Sequence, residues 1–149
     1  MDMTHIPHIL VVDDQKGIRR LVQEIFRGDP YRVSLAANGA EALETAAKDC
    51  PHLVLLDVKM PVMDGVETLR RLRQVHPLIP VIIMTAVGDG DRVREALGLG
   101  AICSVTKPFD VHQLRNLISS TISGGSQAVA ESAAAYPGET DDDPGPEEG

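Results

Sequence analysis

Aromatic residues and cysteines are scarce in this 149-residue sequence. It has no Trp, two Phe and two Tyr, so a core must be filled by aliphatic side chains of a chain that is 43% hydrophobic. The two cysteines, Cys50 and Cys103, lie in no C-x-x-C motif and are too few for a disulfide scaffold. We therefore expect one domain with an aliphatic core and reduced thiols, in the cytoplasm.

Signals that would assign the chain to several other classes are also missing. No apolar run approaches the roughly 18–20 residues of a membrane span, and the N-terminal MDMTHIPH lacks the basic and apolar regions of a signal peptide. Glycine-rich nucleotide-binding motifs are absent, and no basic cluster indicates a nucleic-acid surface. The histidines share no metal-ligand spacing and are expected at or near the surface: His5, His8, His52, His76 and His112.

Positive charge is missing from the end of the chain. Residues 124–149 contain seven acids and no Lys or Arg, which leaves 15 of the 22 acids for residues 1–123, against 14 Lys and Arg. The net charge of −8 is therefore concentrated in a segment rich in Gly, Pro and Ser. We predict a folded domain over 1–123 and a disordered acidic tail over 124–149. A solubilising role is favoured for this tail over a role as a docking peptide.

Strand-like and helix-like runs alternate along the first 123 residues. Strands are predicted in HILVVDD, YRVSLAA, PHLVLLD, IPVIIMT and AICSVTKP. Helical periodicity places the following residues inward: Ile18, Leu21, Val22, Ile25 and Phe26; Val66, Leu69, Leu72 and Val75 or His76; Val111, Leu114, Leu117 and Ile118. Arg70, Arg71 and Arg73 are expected mostly outward, and Asn38 and Asp110 are candidate N-caps.

The strands are too apolar to face water on one side, which suits a parallel sheet with helices on both faces. Five strand–helix pairs joined by right-handed crossovers predict an α/β fold with a doubly wound, five-stranded parallel sheet and five helices. Ligands of such sheets bind beyond the carboxyl ends of the strands, so the residues at those ends are the candidate site.

Five residues stand at the predicted strand ends: Asp13, Asp14, Asp57, Thr85 and Lys107. Neighbouring carboxylates repel one another unless a cation is present, and oxygen ligands suit Mg²⁺ beside a phosphate. The ion and Lys107 would neutralise a phosphoryl group, Thr85 would donate a hydrogen bond, and Asp57 would be the nucleophile. Each residue alone also has a structural explanation as a cap or loop residue, but the joint pattern favours phosphoryl transfer.

The sequence resembles the receiver domain of two-component response regulators. The matching stretches are ILVVDD (9–14), LVLLDVKMPVMDG (53–65), VIIMTA (81–86) and KPF (107–109), in family order, and the resemblance covers about residues 6–123. It is nearest to single-domain sporulation phosphorelay regulators, because of DQKGIRRL, Lys59 and the lack of a recognisable output domain. The resemblance implies a flavodoxin-like sheet in the order 2-1-3-4-5.

The same resemblance implies a set of roles. Asp57 would be phosphorylated by a partner's phosphohistidine, and Thr85 and Lys107 would contact the phosphoryl oxygens. Magnesium would be held by Asp14, Asp57 and the backbone carbonyl of Lys59, and through Asp13. A sensor histidine kinase or histidine phosphotransfer protein would dock near Gly17 and Ile18, although Ile18 also suits the core stripe.

Two positions modify this expectation. Most receivers carry Tyr or Phe three residues before the lysine of the fifth strand and turn it inward as the threonine moves toward the phosphate; this chain has Ser104. A serine lacks the bulk of the ring, which favours passing phosphate onward over switching an output domain. Lys59 would lie at the mouth of the site, where it either obstructs water or is simply solvated.

The leading hypothesis is a stand-alone response regulator, a phosphorelay intermediate or phosphorylation-dependent switch that is not an enzyme apart from its own phosphotransfer and autodephosphorylation. It would be a monomer or a weak phosphorylation-dependent dimer. The alternatives are a chemotaxis-type regulator binding a protein target and an unphosphorylated adaptor. A metal-dependent phosphatase is disfavoured, because such enzymes usually carry an acid two residues after the nucleophile, where this chain has Lys59.

Overall fold

The computed structural model describes the backbone of residues 6–134 and the side chains of residues 6–123. In this part of the chain five strands alternate with five helices: β1 (His8–Val12), α1 (Lys16–Ile25), β2 (Arg32–Ala36), α2 (Gly39–Lys48), β3 (Leu53–Asp57), α3 (Gly65–Val75), β4 (Val81–Thr85), α4 (Gly90–Gly98), β5 (Cys103–Thr106) and α5 (Val111–Ala134). All neighbouring strands are parallel, in the order β2-β1-β3-β4-β5. The predicted fold class is confirmed.

The sheet has an apolar cluster on each face. Every residue of β1, β3 and β4 is buried, and successive residues of these strands point to opposite faces. Leu10, Val12 and Leu56 pack with residues of α2, α3 and α4. Ile9 and Leu55, from the same strands, pack with α1 and α5. The continuous apolar runs in the sequence are therefore explained by burial on both sides.

Side chains cap three of the helices. The predicted caps are confirmed, since Asn38 Oδ1 accepts from the Glu41 amide at 2.8 Å and Asp110 Oδ1 accepts from the Gln113 amide at 3.0 Å. Asp64 caps α3 in the same way through the Glu67 amide at 3.0 Å. These bonds satisfy amides that have no partner within the first helical turn.

Some residues predicted inward are exposed. Leu21 and Val111 are 40 and 38% accessible, and of the alternatives Val75 and His76, Val75 is 66% accessible whereas His76 is half-buried. Leu21 lies at the margin of the apolar stripe of α1, whereas Val75 ends α3 and Val111 begins α5. Helical periodicity gives the direction of a side chain, but it does not show where the covering element ends.

Two polar residues differ from expectation in the opposite direction. His8 is fully buried, with its Nε2 2.7 Å from the Ser34 hydroxyl and its backbone amide donating to His52 Nδ1 at 2.9 Å. Burial lowers its pKa. The surface assignment was therefore wrong for His8, because β1 lies inside the sheet. His5 lies outside the described residues.

Arg73 also turns back onto the protein instead of pointing mostly outward. Its guanidinium donates to the carbonyl oxygens of Ile79 at 2.6 Å, Leu99 at 3.0 Å and Gly100 at 3.0 Å. Burial lowers the pKa of this group. One side chain of α3 thus satisfies carbonyls in the loops before β4 and β5.

The last helix continues past the predicted end of the folded domain. α5 runs to Ala134, so helical backbone covers the first part of the segment predicted to be disordered. Residues 135–149 of that segment lie outside the described residues, and the division at residue 123 stays a prediction. Among the described residues, no helix has the length and apolar character needed to cross a bilayer.

Candidate functional site

The fold brings the strand-end residues to one edge of the sheet. Asp13 follows β1, Asp57 ends β3 and Thr85 ends β4, and these three strands are neighbours. Lys107 follows β5 and reaches across to them. The peptide bond that joins it to Pro108 is cis.

Three carboxylates meet at this edge. One oxygen from each of Asp13, Asp14 and Asp57 lies within 4.8 Å of the others. Asp13 is fully buried and Asp57 is 5% accessible, whereas Asp14 is exposed. The Lys107 ammonium lies 2.7 Å from Asp13 Oδ2 and 3.4 Å from Asp57 Oδ2. One ammonium thus stands against three acids, and the cluster retains an excess of negative charge.

Burial and the neighbouring negative charge together perturb the pKa of Asp57. Burial, followed by the charge of Asp13, raises the pKa of Asp57 to about 7. Lys107 and the Lys59 amide, which donates to Asp57 Oδ1 at 3.3 Å, act in the opposite direction and do not compensate. A divalent cation held by oxygen ligands would supply the missing positive charge, and these three acids offer such ligands.

The site opens into a cleft of about 610 Å³. Its lining includes Asp14, Asp57, Lys107, Ala86 and Asp89. Lys59 also lines the cleft, and its side chain is exposed, as expected for a residue at the mouth.

A close approach that the sequence did not reveal fixes the backbone of Asp57. The Gly65 amide donates to the Val58 carbonyl oxygen at 3.0 Å. A Cβ atom at position 65 would lie 2.1 Å from the carbonyl oxygen of Asp57 and 2.7 Å from the Cα of Val58. Only a glycine at position 65 allows α3 to begin this close to the end of β3.

Asp89, which the sequence patterns did not indicate, also belongs to the site. This residue is 7% accessible, and its Oδ2 accepts from the Ala86 amide at 3.1 Å and lies 3.5 Å from the Thr85 hydroxyl oxygen. The Thr85 hydroxyl has a nearer acceptor, the Ala86 carbonyl oxygen at 3.2 Å. The donors at the end of β4 are therefore engaged inside their own loop. An aspartate three residues after Ala86 was the available signal.

The predicted docking and switch positions lie at the surface of the same fold. Gly17 is exposed in the first turn of α1, whereas Ile18 is half-buried and packs against the core. Ser104 is half-buried and lines a groove of about 440 Å³ between β5 and the start of α5.

The chain is similar to known signalling proteins in sequence. The family model described as "Response regulator receiver domain" matches residues 9–119. The chain is 47% identical over 110 residues to sporulation initiation phosphotransferase F of Bacillus subtilis, covering 74% of this chain and 89% of that protein. It is 41% identical over 116 residues to the regulatory protein AtoC of Escherichia coli. That match covers 78% of this chain but only 25% of AtoC.

Solved structures agree with the fold. Chemotaxis protein CheY4 of Vibrio cholerae superimposes with a TM-score of 0.72 at 30% identity, covering 76% of this chain and 97% of that one. The receiver domain of NtrX from Brucella abortus gives a TM-score of 0.72 at 29% identity, with the same coverage.

Proposed function

This chain belongs to the response regulator receiver domain family, and we propose that it accepts a phosphoryl group on Asp57 and acts as a phosphorelay intermediate or a phosphorylation-dependent switch. The observation that carries the proposal is the position of Asp57. Its carboxylate lines an open cleft, 3.4 Å from the Lys107 ammonium and beside two further acids. An aspartate with only a structural role would not require an open cleft, a lysine ammonium and two further acids beside it.

The donor is a histidine kinase or a histidine phosphotransfer protein. A carboxylate oxygen of Asp57 forms a bond to phosphorus while the bond between phosphorus and the donor's imidazole nitrogen breaks. The electron pair of that bond stays on the nitrogen, which takes up a proton. The product is an acyl phosphate on Asp57, and its hydrolysis or transfer to another histidine returns the chain to its starting state. The chain is thus a participant in phosphotransfer and not an enzyme that acts on a separate substrate.

The other residues of the site stabilise charge. Lys107 lies close enough to Asp57 to pair with an oxygen of the phosphoryl group after transfer. The Thr85 hydroxyl is a second donor, once it leaves its present acceptor in the loop. These groups position and neutralise the phosphoryl group, which is the main requirement of phosphoryl transfer.

A magnesium ion fits the chemistry of this site. The three carboxylates provide oxygen ligands within reach of one ion, and a single ammonium, that of Lys107, lies against two of them. We assign its binding to Asp13, Asp14, Asp57 and the backbone carbonyl of Lys59. When bound, Mg²⁺ supplies positive charge to the phosphoryl oxygens.

Other properties complete the proposal. The partner docks near Gly17 and Ile18, the protein acts in the cytoplasm without direct contact to nucleic acid or membrane, and it is a monomer or a weak phosphorylation-dependent dimer. Ser104 favours relay of the phosphoryl group over switching through an aromatic residue. Lys59 at the mouth of the cleft shields the acyl phosphate from water, so the phosphorylated state lasts minutes or longer.

A chemotaxis-type role, in which the phosphorylated form binds a protein target, is the second candidate. The similarity to CheY4 favours it, whereas the similarity to the sporulation phosphotransferase favours relay. Transfer of label from the phosphorylated chain to a histidine phosphotransfer protein supports relay. Phosphorylation-dependent binding without such transfer supports the chemotaxis-type role.

Incubation with acetyl phosphate and Mg²⁺, followed by a phosphate-affinity gel, tests the central claim. The wild type is expected to give a retarded band that Asp57→Asn lacks. An unphosphorylated adaptor would give no retarded band, and a band of equal intensity in Asp57→Asn would contradict the assignment of the acceptor.

A further inference from the structure

The hydrogen bonds of Asp89 occupy donors that a phosphoryl group would need. Asp89 is buried and lines the same cleft as Asp57 and Lys107. Its Oδ2 accepts from the Ala86 amide at 3.1 Å and lies 3.5 Å from Thr85 Oγ1. An internal carboxylate thus sits on the amide and beside the hydroxyl that end β4.

Asp89 is at the same time the N-cap residue of α4, but it does not cap that helix. The side chains of Asn38, Asp64 and Asp110 each accept a hydrogen bond from an amide in the first turn of their helices. The Asp89 side chain accepts no such bond from the first turn of α4. Its backbone, at φ −95° and ψ 20°, is not extended like those of Asn38 and Asp64. The residue suited to cap α4 is bonded to the preceding loop instead.

We propose that Asp89 is a positioning residue that holds the loop after β4 in its unphosphorylated arrangement and moves to cap α4 when Asp57 carries a phosphoryl group. The inference rests on the proposed function. A phosphoryl group brings negative charge into the cleft that Asp89 lines, and like charges repel. Its oxygens also compete for the Ala86 amide and the Thr85 hydroxyl. The displaced carboxylate then lies next to the first-turn amides of α4, which attract an acceptor.

This exchange carries the signal to α4 and does not require an aromatic side chain on β5. Arg92, in the first turn of α4, already pairs with Asp64 at the start of α3 at 3.4 Å. A change at the start of α4 therefore affects a surface formed by two helices. The mechanism is consistent with Ser104, which has no ring to move.

Amide hydrogen exchange measured by NMR on the full chain tests the proposal, with beryllium fluoride and Mg²⁺ as the phosphoryl mimic. In the wild type, saturation is expected to increase protection of the Arg92 amide about fivefold, equivalent to the ~1 kcal/mol of an N-cap. Protection of the Ala86 amide is retained, because the mimic replaces Asp89 as its acceptor. Asp89→Ala is expected to bind the mimic without the increase at Arg92.

A second readout separates charge from hydrogen bonding. Asp89→Asn keeps an acceptor for capping but loses the charge. It is expected to retain the increased protection of the Arg92 amide. It is also expected to bind beryllium fluoride about fivefold more tightly, which corresponds to the removal of ~1 kcal/mol of like-charge repulsion. The matched control is Asp91→Asn, which makes the same chemical change at a side chain that is 96% accessible. It is expected to leave the affinity unchanged.

The outcomes distinguish this inference from the proposed function. A wild type that binds no beryllium fluoride and gives no phosphorylated band overturns both. A wild type that binds the mimic but shows no increase at Arg92 overturns the inference alone, as does an equal increase in Asp89→Ala. An Asp91→Asn variant that tightens binding as much as Asp89→Asn would also overturn it, because the effect would then be one of net charge.

Discussion

Replacing Asp57 with asparagine should make the metal-free protein more stable. Burial and the charge of Asp13 raise the pKa of Asp57 from 3.8 to about 7, so the folded state holds a proton that the unfolded state releases. The difference is about 3 pKa units, and each unit corresponds to about 1.36 kcal/mol. Ionising Asp57 in the folded protein therefore costs up to about 4 kcal/mol, and we expect Asp57→Asn to gain about 2–4 kcal/mol at about pH 8.

The stability gained by Asp57→Asn should depend on pH. A raised folded pKa means that the stability associated with Asp57 is fully present below 3.8 and is lost as the pH rises to about 7. The gain of the variant should therefore be small at about pH 4. His8 has a lowered pKa and opposes this trend below 6.5, but its contribution cancels in the difference between variant and wild type.

Urea titrations followed by circular dichroism in EDTA, at about pH 4 and about pH 8, measure these differences. The amide side chain introduced by Asp57→Asn would still offer an oxygen to the Lys59 amide, and Lys107 keeps Asp13 as a partner at 2.7 Å, so the change is mainly one of charge. Asp91→Asn, at an exposed side chain, should change stability by less than about 0.5 kcal/mol. A less stable Asp57→Asn at about pH 8 would show that Lys107 compensates the buried charge. An equal gain at both pH values would show that the gain does not come from ionisation of Asp57. Either result refutes the prediction.

Three further predictions concern the site and its support. Gly65→Ala should lower stability and phosphoryl uptake, because its Cβ would lie 2.1 Å from the Asp57 carbonyl oxygen. Gly98→Ala, whose Cβ would have no neighbour within 4 Å, should be tolerated. Denaturation and labelling by acetyl phosphate compare the stability and the phosphoryl uptake of the two variants. Arg73→Gln should lower the free energy of unfolding by about 1–3 kcal/mol, because it leaves carbonyl oxygens without donors. Arg71→Gln, which breaks an exposed ion pair with Glu67, should lower it by less than about 1 kcal/mol. Equal losses of the two variants in urea titrations would contradict this. Labelled phosphoprotein should release phosphate over minutes or longer, and a lifetime of a few seconds would exclude shielding by Lys59.

The sequence predicted the framework of the site well, because strand ends are visible as breaks in apolar runs. Asp13, Asp14, Asp57 and Lys107 converge as a parallel sheet requires. The sequence could not show that Asp89 turns toward the loop before α4, because a cap residue and a loop-bonded residue look identical in a sequence.

The remaining differences have a similar origin. Val75 and Leu21 belong to apolar stripes, but their exposure depends on where neighbouring elements end. The role of Gly65 depends on a contact with β3, which no local pattern encodes. Side-chain periodicity thus predicts faces, whereas tertiary contacts decide coverage and hydrogen-bond partners.

The surplus of acid at the sheet edge has a consequence for turnover in the cell. A ligand that binds only the folded state lowers the fraction of unfolded molecules, and proteases degrade those molecules. If magnesium relieves the crowding of Asp13, Asp14 and Asp57, the half-life of the protein will lengthen when the ion is abundant. A cell starved of magnesium would then hold fewer copies of the molecule, before any change in signalling.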